Sequence, residues 1–168
     1  VIAKKSEDSK KVNIIGVANF PSKGIRKSQI VDIEEVVRAL TQSVEAAERM
    51  AGYSLLKAYI SIGGSHIDSL NSTGVVAVSQ PEKEIITEDI QRVIEAAKAV
   101  SLPASREILH VIPRDFLVDS QPGIKDPLGM TGIRLEVETH IITGSTTAMK
   151  NIVKSVEELG IEVQSLVF

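Results

Sequence analysis

Two glycine-containing segments of this sequence could bind an anion such as a phosphate group. Gly63-Gly64-Ser65-His66 would bring backbone amides close to a ligand, and Gly144-Ser145-Thr146-Thr147 leads into a helical pattern. The first segment lacks the spacing and the Lys-Ser/Thr ending of a P-loop, and a strand-like pattern follows it. In the second segment, capping of the helix explains the hydroxyl groups. The sequence therefore favours a turn and a helix cap over a phosphate site.

The other side chains that could perform chemistry are histidines and carboxylates: His66, His110, His140, Asp68, Asp115, Glu136 and Glu138. The histidines lie far apart in sequence, whereas zinc motifs keep their ligands a few residues apart. Ser65 and His66 with a distant aspartate form a combination too common to indicate a catalytic triad. Glu136 and Glu138 share one strand face and could act as paired carboxylates, but a solvated face is the favoured interpretation. We therefore expect no catalytic residue, no cofactor site and no metal site in this chain.

The composition excludes several classes of function. The chain has 168 residues, a net charge of −3 and no cluster of basic residues, so nucleic-acid binding is not expected. Three Phe and two Tyr, with no Trp, are too few aromatic residues for a base-stacking surface. Cysteine is absent, which fits a reducing, cytosolic compartment. No apolar run approaches the ~20 residues that a membrane span requires.

Apolar periodicity predicts strands that alternate with three helices. A capping box at Asp32 and Glu35 begins the first helix, and Gly52 ends it. Thr87 caps the second helix, and Pro103 follows its end at about residue 100. The other predicted elements are a hairpin of 1–3 and 12–18 around a polar turn at 4–11, a strand at 55–62, a hairpin of 66–70 and 74–78 turning at 71–74, a loop at 81–86, a third helix from 145 or 146 to 160, and a strand at 161–168.

The stretch 109–144 carries the clearest strand pattern in the chain. Within it, apolar residues alternate with charged ones: Ile133, Leu135, Val137, Thr139 and Ile141 with Arg134, Glu136, Glu138 and His140. Such a period of two indicates a strand with one face in the core and one polar face. The stretch as a whole predicts two strands joined by a Pro/Gly loop.

The order of these elements predicts an α/β layer interrupted by an inserted α+β module. Strand–helix–strand connections bracket a block of hairpin, helix, strand and strand. The pairs Gly63-Gly64 and Thr143-Gly144 are the natural points at which the chain would enter and leave that insert.

Several motifs together resemble the FtsA family of bacterial cell-division proteins. They are Val12-Asn13-Ile14-Ile15-Gly16-Val17, Pro21-Ser22-Lys23-Gly24-Ile25, Gly64-Ser65-His66-Ile67 with Asn71, Leu109-His110-Val111-Ile112-Pro113, the run from Gly123-Ile124-Lys125-Asp126-Pro127 to Arg134-Leu135-Glu136, and Lys150-Asn151-Ile152-Val153-Lys154. The resemblance is collinear and covers essentially the whole chain.

The resemblance implies a partial actin-like fold of the ribonuclease-H type, with a small antiparallel sheet packed on a helix in the insert. Residues 1–63 and 144–168 would belong to the subdomain called 1A in this family, and residues 64–143 would be the inserted module called 1C. FtsA tethers FtsZ filaments to the inner face of the cell membrane, and 1C takes part in self-association and in recruiting later division proteins. Alternatively, the chain could belong to another actin-like ATPase that carries a similar module, such as a pilus-assembly protein. A C-terminal amphipathic helix in the parent would favour FtsA.

The resemblance also predicts what this chain lacks. The chain opens on Val1 without a methionine and ends on apolar residues, which suggests a piece of a longer protein. The family's phosphate motifs, FtsZ-binding subdomain and membrane helix would lie outside it. We therefore expect ATP and Mg²⁺ to bind the full-length parent and not this chain, and FtsZ and membrane contacts to come through the parent. The segment 1–18 would lack one strand neighbour, which predicts an edge-paired or swapped dimer.

Within the insert, the sequence nominates Arg114, Asp115, Ile124, Lys125 and Arg134 as protein-interaction residues. These residues combine charge or apolar surface with the Pro/Gly loop and the polar strand face. The stretch 109–144 would then form the outer strand pair of the module, and its polar face would be a docking surface for other division proteins or for further copies of the chain. A free-standing enzyme for a small ligand is the third alternative.

Overall fold

A computed structural model describes residues 1–6, 11–80 and 84–168. The predicted polar turn at 4–11 and the loop at 81–86 therefore lie partly outside the described residues. The chain folds into two compact units, which are Val1–His66 with Thr146–Phe168 (unit 1) and Ile67–Ser145 (unit 2). The mixed α/β class predicted from the sequence is confirmed.

The described residues of unit 1 form three two-stranded sheets and two helices. Strands β1 (Ile2–Lys5) and β2 (Val12–Gly16) pair antiparallel, as predicted. Two further strands, β3 (Ile25–Arg26) and β4 (Gln29–Ile30), form a short hairpin that the sequence did not predict. Helix α1 (Ile33–Ala51) precedes β5 (Lys57–Ser61), and helix α3 (Thr146–Glu157) precedes β10 (Glu162–Val167). Strands β5 and β10 pair parallel, and α1 packs on β2 and on α3.

The predicted ends of α1 are confirmed. The Asp32 carboxylate accepts a hydrogen bond of 3.0 Å from the backbone N–H of Glu35, which satisfies one of the unpaired amides of the first turn. Gly52 ends the helix with a φ of 72°, a conformation that a residue without a Cβ adopts at little cost. Val36 and Ala47 are the buried residues of the helix.

Unit 2 is a four-stranded antiparallel sheet with one helix on it. The strands are β6 (Asp68–Ala77), β7 (Arg106–Val118), β8 (Gln121–Ile124) and β9 (Arg134–Ser145), in the order β6-β9-β7-β8. Helix α2 (Thr87–Lys98) packs mainly on β6 and β9. The buried core between them consists of Val78, Ile85, Val93, Ala97, Phe116, Val118, Leu135 and Val137.

The predicted hairpin at 66–78 is wrong, because β6 runs straight through the proposed turn at 71–74. Gly74 looked like a turn residue, but a Cβ placed on it would lie 2.1 Å from the Val93 carbonyl oxygen of α2. A residue without a Cβ is required at this position because the backbone of α2 packs directly against the backbone of β6. Ser72 is also explained by the helix, since its hydroxyl donates a hydrogen bond of 2.8 Å to the Ala97 carbonyl.

The prediction that 109–144 forms the outer strand pair is also wrong. Strands β7 and β9 are the central strands of the sheet, while β6 and β8 form its edges. The pairing of β7 with β9 and the two-faced pattern of β9 are as predicted. The position of the pair in the sheet depends on β6, which precedes it by many residues, so the local pattern could not reveal it.

Strand β8 follows β7 through a two-residue turn without glycine. Asp119 and Ser120 have φ values of 48° and 69°, as in a type I′ turn, where glycine is preferred. The Asp119 carboxylate accepts hydrogen bonds from the backbone N–H groups of Ile133 and Arg134, which holds the turn in place. Sequence patterns for hairpins rely on Asn-Gly or Asp-Gly, so this hairpin was not predicted.

We expect Ser120→Gly to stabilise unit 2 by about 0.5–1 kcal/mol, because it removes the steric cost of a positive φ on a residue with a Cβ. The midpoint of urea unfolding, followed by far-UV circular dichroism, measures the gain. Ser120→Ala keeps the Cβ and the strain, and it should show no gain. Equal midpoints for the glycine and alanine variants would contradict the assignment of strain to this residue.

Candidate functional site

The sheet of unit 2 has one face covered by α2 and one open face. On β9, the side chains of Leu135, Val137, Thr139 and Ile141 are at most 1% exposed. The side chains between them point the other way, and the strand register places their neighbours on β6 and β7 beside them. This open face includes Asn71, Thr73, Val75, Ile112, Arg134, Glu136, Glu138 and His140.

Polar groups on the open face are bonded to one another. Arg134 Nη2 lies 3.1 Å from Glu136 Oε2, and His140 Nδ1 lies 2.8 Å from Asn71 Oδ1. Asn71, Thr73, Arg114 and Glu138 line a polar hollow of about 340 Å³ on this face. Besides these two bonded pairs, the face carries the exposed Glu138 and two exposed apolar side chains, Val75 at 45% and Ile112 at 46%.

A second cluster lies where β7 meets β8. Lys125 Nζ donates hydrogen bonds to the Arg114 carbonyl at 3.1 Å and to Asp115 Oδ1 at 3.2 Å. The backbone N–H of Gly123 donates to Asp115 Oδ2 at 2.8 Å. The hydrogen bond from Gly123, followed by that from Lys125, lowers the pKa of the Asp115 carboxyl. Asp115 therefore carries its charge at neutral pH and fixes the Pro/Gly loop to the sheet.

The five nominated interaction residues divide into three groups. Arg114, Asp115 and Lys125 come together in the second cluster. Arg134 lies apart from them at the start of β9, where it is ion-paired to Glu136. Ile124 is half-buried and packs against the core of unit 2, so only part of its side chain is available to a partner.

Sequence reasoning missed Val75 and Ile112, which are the exposed apolar residues of the open face. The signal for Val75 was present in the period of two along β6, but the false turn at 71–74 hid it. Ile112 follows an irregularity in β7, where the register with β9 shifts between Ile108 and His110. A bulge changes which face the following residues occupy, so alternation could not place Ile112.

The segments that could bind phosphate have other roles here. A Cβ on Gly64 would lie 2.5 Å from the Cβ of Ser28, so the turn between β3 and β4 already fills the space beside this glycine. Gly144 and Ser145 are the last residues of β9, opposite Glu107 and Arg106 of β7. Neither segment therefore forms an open loop that could surround a phosphate group.

The described residues also contain no group of three or more His, Asp or Glu side chains that could hold a metal ion. His66 is buried, and neither ring nitrogen has a hydrogen-bond partner among the residues that the structure describes. A catalytic histidine needs an acceptor that orients its ring, and none of the described residues provides one for His66. Among the described helices, none has the length and apolarity to cross a membrane.

A family model and several curated relatives that match this chain all belong to the same family. Residues 64–143 match the family model of the SHS2 domain inserted in FtsA. The cell division protein FtsA of Bacillus subtilis is 45% identical over 99% of this chain, and that of Borreliella burgdorferi is 45% identical over 93%. FtsA of Escherichia coli K12 is 40% identical over 94% of the chain. The chain spans 37% or 38% of the length of these relatives.

A solved structure, the PilM-PilN type IV pilus biogenesis complex, resembles the fold. It covers 88% of this chain and 37% of the other chain, with a TM-score of 0.54 and 8% sequence identity. At this identity the likeness concerns the fold alone. The pilus alternative therefore receives no support beyond a shared fold.

Proposed function

Because this chain belongs to the FtsA family of cell-division proteins, we propose that it acts as an interaction module in a division scaffold. Unit 2 corresponds to the inserted SHS2 domain, and we assign to it the contacts with further copies of the protein and with other division proteins. The full-length parent would tether FtsZ filaments to the inner face of the cell membrane. ATP and Mg²⁺ would bind that parent, and the part described here would not be an enzyme.

The open face of the unit 2 sheet is the observation that carries this proposal. A sheet in a two-layer domain buries one face against its helix and leaves the other to solvent or to a partner. Here the second face combines two exposed apolar side chains with an Arg134–Glu136 ion pair, a His140–Asn71 hydrogen bond and the exposed carboxylate of Glu138. A partner that docks on such a face gains apolar contact, leaves the Arg134–Glu136 pair intact and can supply a cation for Glu138.

We expect the charge reversal Arg134→Glu to weaken this docking. The new carboxylate would lie beside Glu136, so a balanced ion pair would become a pair of like charges. In a chimera of Bacillus subtilis FtsA whose matching segment is replaced by this chain, we expect the critical concentration for filament formation to rise about tenfold. Cell length would report the loss of division activity in vivo.

Glu95→Lys on α2 is a matched control. It also breaks an exposed ion pair, the one between Glu95 and Lys98, but α2 lies on the covered side of the sheet. This variant should polymerise and divide like the unmodified chimera. Unchanged filament formation by Arg134→Glu would remove the open face from the proposal. Failure of a folded, unmodified chimera to support division would argue against the division role itself.

A further inference from the structure

The two edges of the unit 2 sheet differ in how well they could pair with another strand. Strand β8 has four residues, and Pro122 and Gly123 are two of them, which makes it a poor template. Strand β6 has ten residues and pairs only with β9 in the described part of the chain. From Ser69 to Ala77 it contains neither a charged residue nor a proline. Natural edge strands usually carry such protection, so its absence here points to a use for the edge.

Hydrogen bonds show which backbone groups of β6 face outward. The carbonyl oxygens of Asp68 and Ser72 accept hydrogen bonds from the side-chain hydroxyls of Thr143 and Thr139 on β9. The backbone groups of these even-numbered residues therefore point toward β9. The Ala77 carbonyl accepts a hydrogen bond of 2.6 Å from Arg92 of α2. Because backbone groups alternate in direction along a strand, the odd-numbered residues from 69 to 77 present their N–H and C=O groups to the free edge.

Side chains occupy the two ends of this edge. The Ser69 N–H donates to the Asp68 carboxylate at 2.8 Å, and Arg92 occupies the Ala77 carbonyl at the other end. The groups that remain available belong to Asn71, Thr73 and Val75. Thr73 is the midpoint of this segment, and the segment is therefore symmetric about it.

We propose that β6 pairs antiparallel with β6 of a second copy of this chain, on a two-fold axis at Thr73. This inference names the surface for the self-association proposed above and rests on that proposal. Thr73 would face its own counterpart, and Asn71 would face Val75 of the second copy. No like charges would meet, since the paired segment is uncharged, and threonine and valine favour strands. Leu70 and Val76, half-buried under α2, would lose their remaining exposure to water.

Single cysteines test the pairing directly, because the chain contains none. Opposed residues in such a pair have Cα atoms about 5.5 Å apart, within the range that a disulfide spans. We expect Thr73→Cys to form a disulfide-linked dimer under mild oxidation. Asn71→Cys alone and Val75→Cys alone should not, since each cysteine would lie about 14 Å from its own counterpart. A mixture of these two variants should give the mixed dimer.

Sedimentation of the unoxidised chain separates failure of this inference from failure of the proposed self-association. Thr73→Lys places like charges at the axis and should weaken dimerisation about tenfold, with an unchanged circular dichroism spectrum. If the chain dimerises but Thr73→Cys crosslinks no faster than Ser69→Cys, another surface is used and this inference is overturned. If the chain stays monomeric at millimolar concentration, both the inference and the proposed self-association of this segment fail.

Discussion

Gly74→Ala is expected to lower the free energy of unfolding of unit 2 by about 3 kcal/mol, at the upper end for overpacked cores. The added Cβ would lie 2.1 Å from the Val93 carbonyl oxygen, 2.6 Å from the Ala97 amide nitrogen and 3.0 Å from the Ala97 Cβ. Two of these neighbours are backbone atoms of α2, so no side chain can rotate away. The helix must move off the sheet, which exposes Val93 and Ala97, both fully buried in the unmodified protein.

Gly63→Ala is the matched control, because a Cβ on Gly63 would meet nothing within 4 Å and its φ is not in the left-handed region. That substitution should be neutral or slightly stabilising. Both tyrosines, Tyr53 and Tyr59, lie in unit 1, and the chain has no Trp. Tyrosine fluorescence therefore reports on unit 1, and hydrogen exchange of the β9 amides reports on unit 2. If the double variant with Ala97→Gly regains full stability, the clash is with the side chain and not with the helix backbone.

Asp89→Ala should cost unit 2 about 3 kcal/mol at neutral pH, because it leaves buried donors without an acceptor. The Asp89 side chain is 1% exposed. Its Oδ1 accepts hydrogen bonds from the Ser79 hydroxyl at 2.6 Å and from Arg92 at 2.8 Å, and its Oδ2 accepts from the Ile86 N–H at 3.3 Å. These bonds join the end of β6 to the first turn of α2.

The effect of Asp89→Ala should depend on pH with a defined sign. Burial raises the pKa of this carboxyl, but the hydrogen bonds from Ser79 and Ile86 and the charge of Arg92 outweigh burial and hold it below its ordinary value of 3.8. A depressed pKa contributes stability that is present above pH 3.8 and is lost as the pH falls through the folded-state pKa. The difference between the two proteins should therefore narrow below that pH.

Urea unfolding at pH 7 and at pH 3 measures this difference. Asp126→Ala is the control and should cost less than about 1 kcal/mol. Within the described part of the chain, the exposed Asp126 accepts a single hydrogen bond, from the Leu128 N–H at 3.1 Å. A loss for Asp89→Ala that is small at neutral pH, or that grows in acid, would contradict this account of the buried carboxylate.

The sequence predicted the elements whose signals are local. The capping box at Asp32, the glycine stop at Gly52 and the alternation along β9 each arise within a few residues, and each is present in the structure. Gly74 misled the prediction because a glycine that permits a turn and one that admits a helix backbone look alike in sequence. Only the position of α2 over β6 distinguishes the two.

The candidate site was predicted less completely for the same reason. Arg114, Asp115 and Lys125 were nominated separately, and the β7–β8 turn is what brings them into one cluster. That turn contains Asp119 and Ser120 in place of the expected glycine, so the hairpin and the burial of Ile124 were missed. Whether the nominated residues bind a partner stays a prediction.

The division of unit 1 by unit 2 has a consequence for the order of folding. Unit 2 is continuous in sequence, whereas the parallel pair of β5 and β10 joins segments on either side of it. An unfolded insert of this length would add on the order of 4 kcal/mol to the entropy cost of closing that pair. In the folded insert, Asp68 and Thr143 are opposed on neighbouring strands, so its ends lie about 5 Å apart. If the insert folds first during synthesis, it therefore holds the chain segments that lead to β5 and β10 close together before these two strands pair.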